Sequence, residues 1–186
     1  MLRSSCSACL FCALRGVRQG VIRVRPSSLL VSACSTLLPS FETAARSLKV
    51  ALINAPVHSD AEIETAIIAL GREPGGGLVV ITDAFTFTWV HRAPIISAAA
   101  RNNVPAVYRD SFFVEGGGLL SYGFDEVDTF RRAASYVDRI LRGAKPGDLP
   151  VQLPTTFEMV VNRKTATALG LAIPPSIMLR ADEVIE

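Results

Sequence analysis

Three short segments of the sequence place polar and aromatic side chains next to each other, a mixture that is typical of ligand-binding pockets. They span residues 83–87, 109–113 and 121–124. Carboxylate, guanidinium and hydroxyl groups can orient a small zwitterionic solute, while aromatic rings cover its apolar part. From these segments we select the following candidate ligand-binding residues: Asp83, Phe85, Thr86, Arg109, Ser111, Phe113 and Tyr122.

The same sequence offers little to covalent catalysis. Residues 41–186 contain no cysteine, and no serine lies in the G-x-S-x-G pattern of a nucleophile elbow. The two histidines have no spacing that indicates a triad or a shared metal. Acid–base roles for Asp83, Asp110 or Glu115 stay open, because nothing in the spacing pairs these carboxylates. We therefore predict that the protein has no catalytic residues and is not an enzyme.

Two glycine triplets, at residues 75–77 and 116–118, invite comparison with phosphate-binding loops. A phosphate cradle requires a helix directly after the glycines, so that free N–H groups point at the anion. Both triplets instead precede predicted strands. We assign them to tight turns and predict no cofactor.

The first 40 residues differ in composition from the rest of the chain. They contain five arginines, no acidic residue and all four cysteines, whereas residues 41–186 carry 14 basic and 17 acidic side chains. The mildly acidic remainder excludes a nucleic-acid partner held by a basic surface. We predict that residues 1–40 form an atypical basic leader, poorly ordered and packed weakly on the rest.

This leader leaves alternatives open. The spacing of Cys6, Cys9 and Cys12 resembles half of a zinc or iron–sulfur motif, but Cys34 is too distant to complete it, and we predict no metal. Residues 31–34 resemble a lipoprotein cleavage box that follows a short apolar stretch. Export as a lipoprotein is thus the alternative to a misassigned start.

Hydrophobic periodicity predicts a sheet flanked by helices. Ser59 is predicted to cap one helix, with Glu62 completing a capping box, and Asp125 is predicted to open the clearest helix. Alternating strands and helices with short links predict an α/β fold with a doubly wound, mostly parallel sheet. Ligands bind beyond the carboxyl ends of such strands, where the three segments above would meet. Short apolar runs predict the strands near residues 50–54, 78–82, 104–108 and 119–122.

We assign residues 41–144 to this α/β lobe, because the regular alternation of strands and helices ends after residue 144. Prolines interrupt residues 145–186, where we predict one strand at 157–161 and one short helix at 164–169. A segment of this size cannot form a domain. We therefore expect it to leave the main sheet and to pack against another folded unit, such as the first lobe of a longer relative. Without that unit, four apolar side chains should be exposed: Phe157, Met159, Val161 and Leu169.

Several stretches resemble the ABC transporter substrate-binding protein family that includes tryptophan- and tyrosine-binding lipoproteins. Prominent among them are FVEGGGLLSYG at 113–123, YVDRILRGAKP at 136–146 and ADEVIE at 181–186. The order and spacing of these unrelated stretches agree with the family, and the likeness covers about residues 41–186. Further matching stretches lie at 105–108, 148–152, 162–166, 168–171 and 173–175.

This resemblance implies a fold like the type I periplasmic binding proteins, in which a hinge joins two α/β lobes that hold a solute between them. It implies a small-molecule solute, such as an amino acid, a membrane permease of an ABC importer as partner, and a periplasmic or lipoprotein location. Residues 1–40 are too few for a first lobe, so the chain is expected to be truncated. A signalling or enzymatic domain of flavodoxin-like type, or an inactive fragment, is the alternative.

Overall fold

The structure, a computed structural model, describes residues 28–31, 38–55, 57–72, 75–81 and 89–186. In these ranges the strands form one sheet. In chain order they are β1 Ser28–Val31, β2 Leu52–Ala55, β3 Gly77–Val80, β4 Ala106–Tyr108, β5 Leu120–Phe124, β6 Phe157–Asn162 and β7 Glu183–Ile185. Across the sheet the order is β2-β1-β3-β4-β5-β6-β7.

Helices connect most of these strands. They are α1 Leu38–Leu48, α2 Asp60–Gly71, α3 Trp89–Arg101, α4 Ser111–Glu115, α5 Glu126–Leu141, α6 Arg163–Ala168 and α7 Pro175–Met178. A 3-10 turn at Pro146–Asp148 follows α5. Among the helices of the described ranges, none is long and apolar enough to cross a membrane.

The first five strands are all parallel to one another. The prediction of an α/β fold with a doubly wound, mostly parallel sheet is therefore confirmed. Successive residues of β3 point to opposite faces, as the strand period of two requires. Leu78 and Val80 pack into a core with α2 and α3, whereas Val79 and Ile81 pack into a second core with α1. Both faces of β3 are buried, which explains its continuous apolar sequence.

The predicted cap at Ser59 is present, and Asp125, predicted to open a helix, also caps it. Ser59 Oγ accepts a hydrogen bond from the Glu62 amide at 3.3 Å, and Glu62 Oε2 accepts one from the His58 amide at 2.7 Å. Asp125 Oδ1 accepts from the Asp128 amide at 2.9 Å. These bonds satisfy amides that the first turn of a helix leaves without partners, and they fix where α2 and α5 begin.

The prediction that residues 145–186 leave the main sheet is wrong. Strand β6 pairs antiparallel with β5, from Leu120 opposite Val161 to Phe124 opposite Phe157, and β7 pairs with its other edge. Met159 and Val161 are buried in the second core, while Phe157 and Leu169 are half-buried. A long return connection can set an antiparallel strand beside β5, and this gives the apolar residues of β6 a place in the same sheet.

The boundary drawn at residue 40 also needs correction. Strand β1 lies within the predicted leader, yet it pairs with both β2 and β3, and α1 begins at Leu38. Its backbone supplies hydrogen-bond partners to two strands whose facing edges would otherwise be open. Residues 1–27 and 32–37, with the four cysteines, lie outside the described residues.

Helix α5 has the predicted amphipathic sequence but no buried residue. Its apolar side, which we call the α5 face, is largely open: Phe130 is 74% exposed and Leu141 is 82% exposed. An uncovered apolar stripe of this length is unusual for a surface helix, which normally turns that side toward a core. The α5 face consists of Val127, Phe130, Ala134, Val137 and Leu141.

Candidate functional site

A cavity of about 160 Å³ lies where β4 and β5 end. The segment after β4 contributes Arg109, Asp110 and Ser111, and the region from the end of β5 into α5 contributes residues 123–127. Because β6 runs antiparallel to β5, its first residues reach the same edge, and Glu158 completes the wall. The cavity therefore occupies the place where parallel α/β sheets bind ligands.

A glycine sets the distance between the two strand ends. A Cβ atom added at Gly123 would overlap the carbonyl oxygen of Arg109. Only glycine allows this backbone approach, which holds the segment after β4 against β5. The contact fixes where Arg109 and Asp110 enter the cavity.

The Arg109 guanidinium is already engaged on three sides. Its carbon lies 4.2 Å from the centre of the Phe124 ring, a distance suited to a cation–π contact. Its nitrogens lie 3.5 Å from Asp110 Oδ1 and 3.9 Å from Glu126 Oε1. These carboxylates offset the positive charge of the guanidinium, which weakens its attraction for an anionic ligand.

Two polar side chains in the wall are buried. Asp110 is 6% exposed, at the N-cap position of α4, and Ser121 is 1% exposed. The Ser121 hydroxyl makes no hydrogen bond within the described part of the chain. Every fully enclosed side-chain polar atom in that part has a hydrogen-bond partner, so the Ser121 hydroxyl is not fully enclosed. The hydroxyl therefore opens onto the cavity and is free to bond a ligand.

Glu158 stands in an acidic environment. Partial burial raises the pKa of its carboxyl group, and the neighbouring carboxylates raise it further. Each of these groups disfavours the charged form of Glu158, whereas a cation in the cavity would favour it. The carboxylates concerned are Asp125, Glu183, Asp182 and Glu115.

The structure brings two of the predicted ligand-binding residues, Arg109 and Ser111, into the cavity wall. Phe113 lies elsewhere: it is buried in the first core, with its ring 4.8 Å from that of Tyr108. Tyr122 packs beside the second core, with its ring 5.8 Å from that of Phe157. The remaining three, Asp83, Phe85 and Thr86, lie outside the described residues.

Ser121 and Phe124 lie within the predicted segment 121–124, but they were not among the selected residues, and sequence reasoning missed Glu126 and Glu158. A signal for Ser121 was present, since strand period places it on the opposite face from Tyr122. Glu158 is a lone acid in an apolar run, and its role depends on β6 lying beside β5. The short helix α4 was also missed, because its five residues are too few for a helical period.

A larger cavity, of about 420 Å³, lies between α5 and the chain that follows it. Its lining is mostly apolar, with Tyr136, Ile140 and Leu149, and Arg132 is the charged residue in it. The Tyr136 hydroxyl donates a hydrogen bond to the Pro150 carbonyl oxygen at 2.5 Å, which ties the two sides together. This cavity adjoins an exposed helix and lacks the converging polar groups found at the strand ends, so we favour the smaller one as a solute site.

Within the described ranges, no group of three or more histidine, cysteine, aspartate or glutamate side chains is placed to hold a metal ion. The polar groups of the strand-end cavity therefore do not form a recognisable metal centre. Their arrangement suits hydrogen bonding and ion pairing with a small molecule.

The family model for ABC transporter substrate binding proteins matches residues 30–185. The chain belongs to this family, whose members bind substrates for transport. The match begins within β1, so it includes part of the stretch that the sequence analysis assigned to a leader. No curated protein sequence matches the chain.

Solved structures share the fold. A conserved domain protein from Vibrio cholerae superposes with a TM-score of 0.83 at 23% identity, covering 96% of this chain and 60% of its own. The ABC domain from Streptococcus pneumonia in complex with L-Trp gives 0.81 at 22% identity, covering 97% and 62%. A ligand-free, open substrate binding protein with adhesive properties from Clostridium difficile gives 0.63 at 18% identity, covering 93% and 58%. The chain thus spans about three-fifths of the length of these structures.

Proposed function

We propose that this protein captures a small solute, with an amino acid as the expected class, and delivers it to the membrane permease of an ABC importer. The observation that carries the proposal is the strand-end cavity, where Arg109, Asp110, Ser121 and Glu158 converge. Membership of a substrate-binding family supports the same role. A neighbour in complex with L-Trp supports the choice of an amino acid.

Binding without chemistry is the simplest use of these groups. Arg109 is held between carboxylates and an aromatic ring, and the carboxylate of Asp125 caps α5. Neither histidine of the chain lines the cavity. The described part of the wall can therefore orient and hold a polar molecule, and no activated nucleophile lies among its described residues.

The α5 face suggests how capture would be completed. Structures of this fold are longer than the present chain by about two-fifths of their length. We propose that the extra region is a second lobe, that it covers the α5 face, and that it closes over the cavity. Closure would be driven by solute contacts that exist only when both lobes meet. The closed form would then dock on the permease, from the periplasm or from a lipid anchor.

A solute titration followed by two-dimensional NMR tests this role in the chain as it exists. Amino acids and small aromatic acids, added to millimolar concentration, should shift the amide signals of residues 109–111, 123–125 and 158. Without contacts from a second lobe binding should be weak, and chemical shifts detect millimolar affinity. The substitution S121A should reduce the shifts, whereas S176A, on an exposed residue of α7, should not.

Two results would contradict the proposal. Conversion of a titrated compound into a product would identify an enzyme instead of a binding protein. Shifts confined to the cavity beside α5, with the strand-end signals unmoved, would place the site elsewhere.

A further inference from the structure

The strand-end cavity is dominated by negative charge. Among the described residues in its wall, Arg109 is the cation, and its guanidinium faces two of the carboxylates and the Phe124 ring. A carboxylate brought into this space would meet several like charges and a guanidinium that is already shared. An ammonium group would meet the opposite situation. The four carboxylates in the wall are those of Asp110, Asp125, Glu126 and Glu158.

Glu158 and Ser121 lie on one face of the sheet, close enough to act together. Ser121 pairs with Val160 and Gly123 with Glu158, so Ser121 and Glu158 are diagonal neighbours on adjacent antiparallel strands. Such neighbours are about 7–8 Å apart, with side chains on the same face. A glutamate side chain can bridge much of that span to reach an ammonium group bonded to Ser121.

The two groups also have unused hydrogen-bonding capacity. The Ser121 hydroxyl opens onto the cavity, and it has lone pairs that can accept a hydrogen bond from an N–H group. The Glu158 carboxylate is surrounded by other acids, and burial with those charges raises its pKa. A bound cation would relieve this repulsion and at the same time satisfy the buried hydroxyl.

We infer that this lobe recognises the ammonium group of an amine-bearing solute, which donates hydrogen bonds to the Glu158 carboxylate and the Ser121 hydroxyl. The inference rests on the proposed function and deepens it by naming the chemical class. The carboxylate of an amino acid would be bound by groups outside this cavity. An amine that lacks a carboxylate should therefore bind this lobe, and the matching acid that lacks an amine should not.

Matched probes separate the two ends of an amino acid. We propose titrating the chain with phenethylamine and 3-phenylpropanoate, and with isopentylamine and 4-methylpentanoate, and following the amide signals of residues 109–111, 121–125 and 158 by NMR. In each pair the apolar part is similar and the charged group differs. Each amine should bind at least about tenfold more tightly than its acid, as expected for a hydrogen-bonded ion pair.

Variants assign the effect to the two acceptors. E158Q should weaken amine binding about tenfold, and S121A about threefold, because charged acceptors contribute more than neutral ones. E183Q is the matched control: Glu183 is an exposed acid on β7 near Glu158, but it does not line the cavity. It should change amine affinity less than twofold by the general scale of screened surface charges. Circular dichroism of each variant checks that the fold is kept.

The outcomes separate this inference from the proposed function. Acids that bind at the cavity as tightly as the amines would overturn ammonium recognition and leave solute binding intact. An E183Q effect equal to that of E158Q would replace specific recognition by general attraction to negative charge. If no amine, acid or amino acid moved the strand-end signals, both the inference and the proposed function would fail.

Discussion

Gly123 of β5 passes so close to Arg109 that a methyl group on Gly123 would overlap the Arg109 carbonyl oxygen. The substitution G123A must therefore push β5 away from the segment that follows β4. We expect the free energy of unfolding to fall by about 1–3 kcal/mol, the usual cost of overpacking. Denaturant titration measures this loss, and shifted amide signals of Arg109 and Asp110 would show that the cavity wall has moved.

The control for this substitution is G147A. Gly147 lies in the 3-10 turn, and a Cβ added there would have no atom within 4 Å. G147A should change the free energy of unfolding by less than about 0.5 kcal/mol, as is usual for surface positions. Equal stability of G123A and G147A would mean that the approach of the two strand ends is not tight.

Met159 tests whether β6 belongs to the core. It is 2% exposed and packs in the second core, so M159A should leave a cavity and lower the free energy of unfolding by about 2–5 kcal/mol. Leu153 precedes β6 and is 65% exposed, and L153A should cost less than about 0.5 kcal/mol. The comparison needs only two denaturation curves against the wild type. A small loss of unfolding free energy in M159A would mean that this segment lies at the surface and not in the core.

The α5 face should be available to apolar probes in this chain. Phe130 and Leu141 are mostly exposed, so the double substitution F130S/L141S should alter stability by less than about 1 kcal/mol. It should also lower the fluorescence of a dye that binds exposed apolar surface, such as ANS. R131S, on a charged neighbour, should leave dye fluorescence unchanged. A loss of several kcal/mol in the double variant would show that the face is covered.

Glu158 predicts an unusual dependence of stability on pH. Its pKa is raised in the folded protein, chiefly by burial and then by Asp125 and other carboxylates. The folded state therefore holds this proton more tightly than the unfolded state, and the contribution of Glu158 to stability decreases as pH rises from the unfolded pKa through the folded pKa. E158Q removes the charge, so the variant should be more stable than the wild type above that range.

Because Glu158 is only partly buried, the gain should be at most about 0.5 kcal/mol at pH 7. It should disappear near pH 4, close to the ordinary glutamate pKa of about 4.3. Denaturation of both proteins at the two pH values measures the difference. E42Q is the control, since Glu42 lies on the exposed side of α1 and pairs with Arg46 at 3.2 Å. A gain for E158Q that persists unchanged at pH 4 would rule out charge repulsion as its cause.

Local sequence signals were sufficient for the interior of the parallel sheet. The apolar runs of β3 and β4 are buried on both faces, and the caps at Ser59 and Asp125 form the expected bonds. Each of these features is decided by residues that are close together in the chain. Their prediction needs no knowledge of which distant segments meet.

Pairing between distant segments was the part that the sequence did not reveal. No local sequence signal near Phe157 predicts that its strand pairs antiparallel with β5. Glu158 could therefore not be placed at the strand ends. The same uncertainty hid the difference between Ser121, which lines the cavity, and Tyr122, which packs on the opposite face. Strand alternation predicts that two such neighbours diverge, but only the pairing decides which one faces the ligand.

The end of helix α5 should unfold locally while the rest of the molecule stays folded. Its first turns are tied to the chain before β6: the Asp125 amide donates to the Thr156 carbonyl, and Arg132 donates to Thr155. No side chain of α5 is buried, and beyond Tyr136 the helix lacks such ties to the chain before β6. The last turns should therefore unwind and exchange their amide hydrogens while the sheet stays closed, since short helical segments without packing are marginal in water. A second lobe seated on this helix would slow that exchange, so the winding of its last turns would report whether the two lobes are in contact.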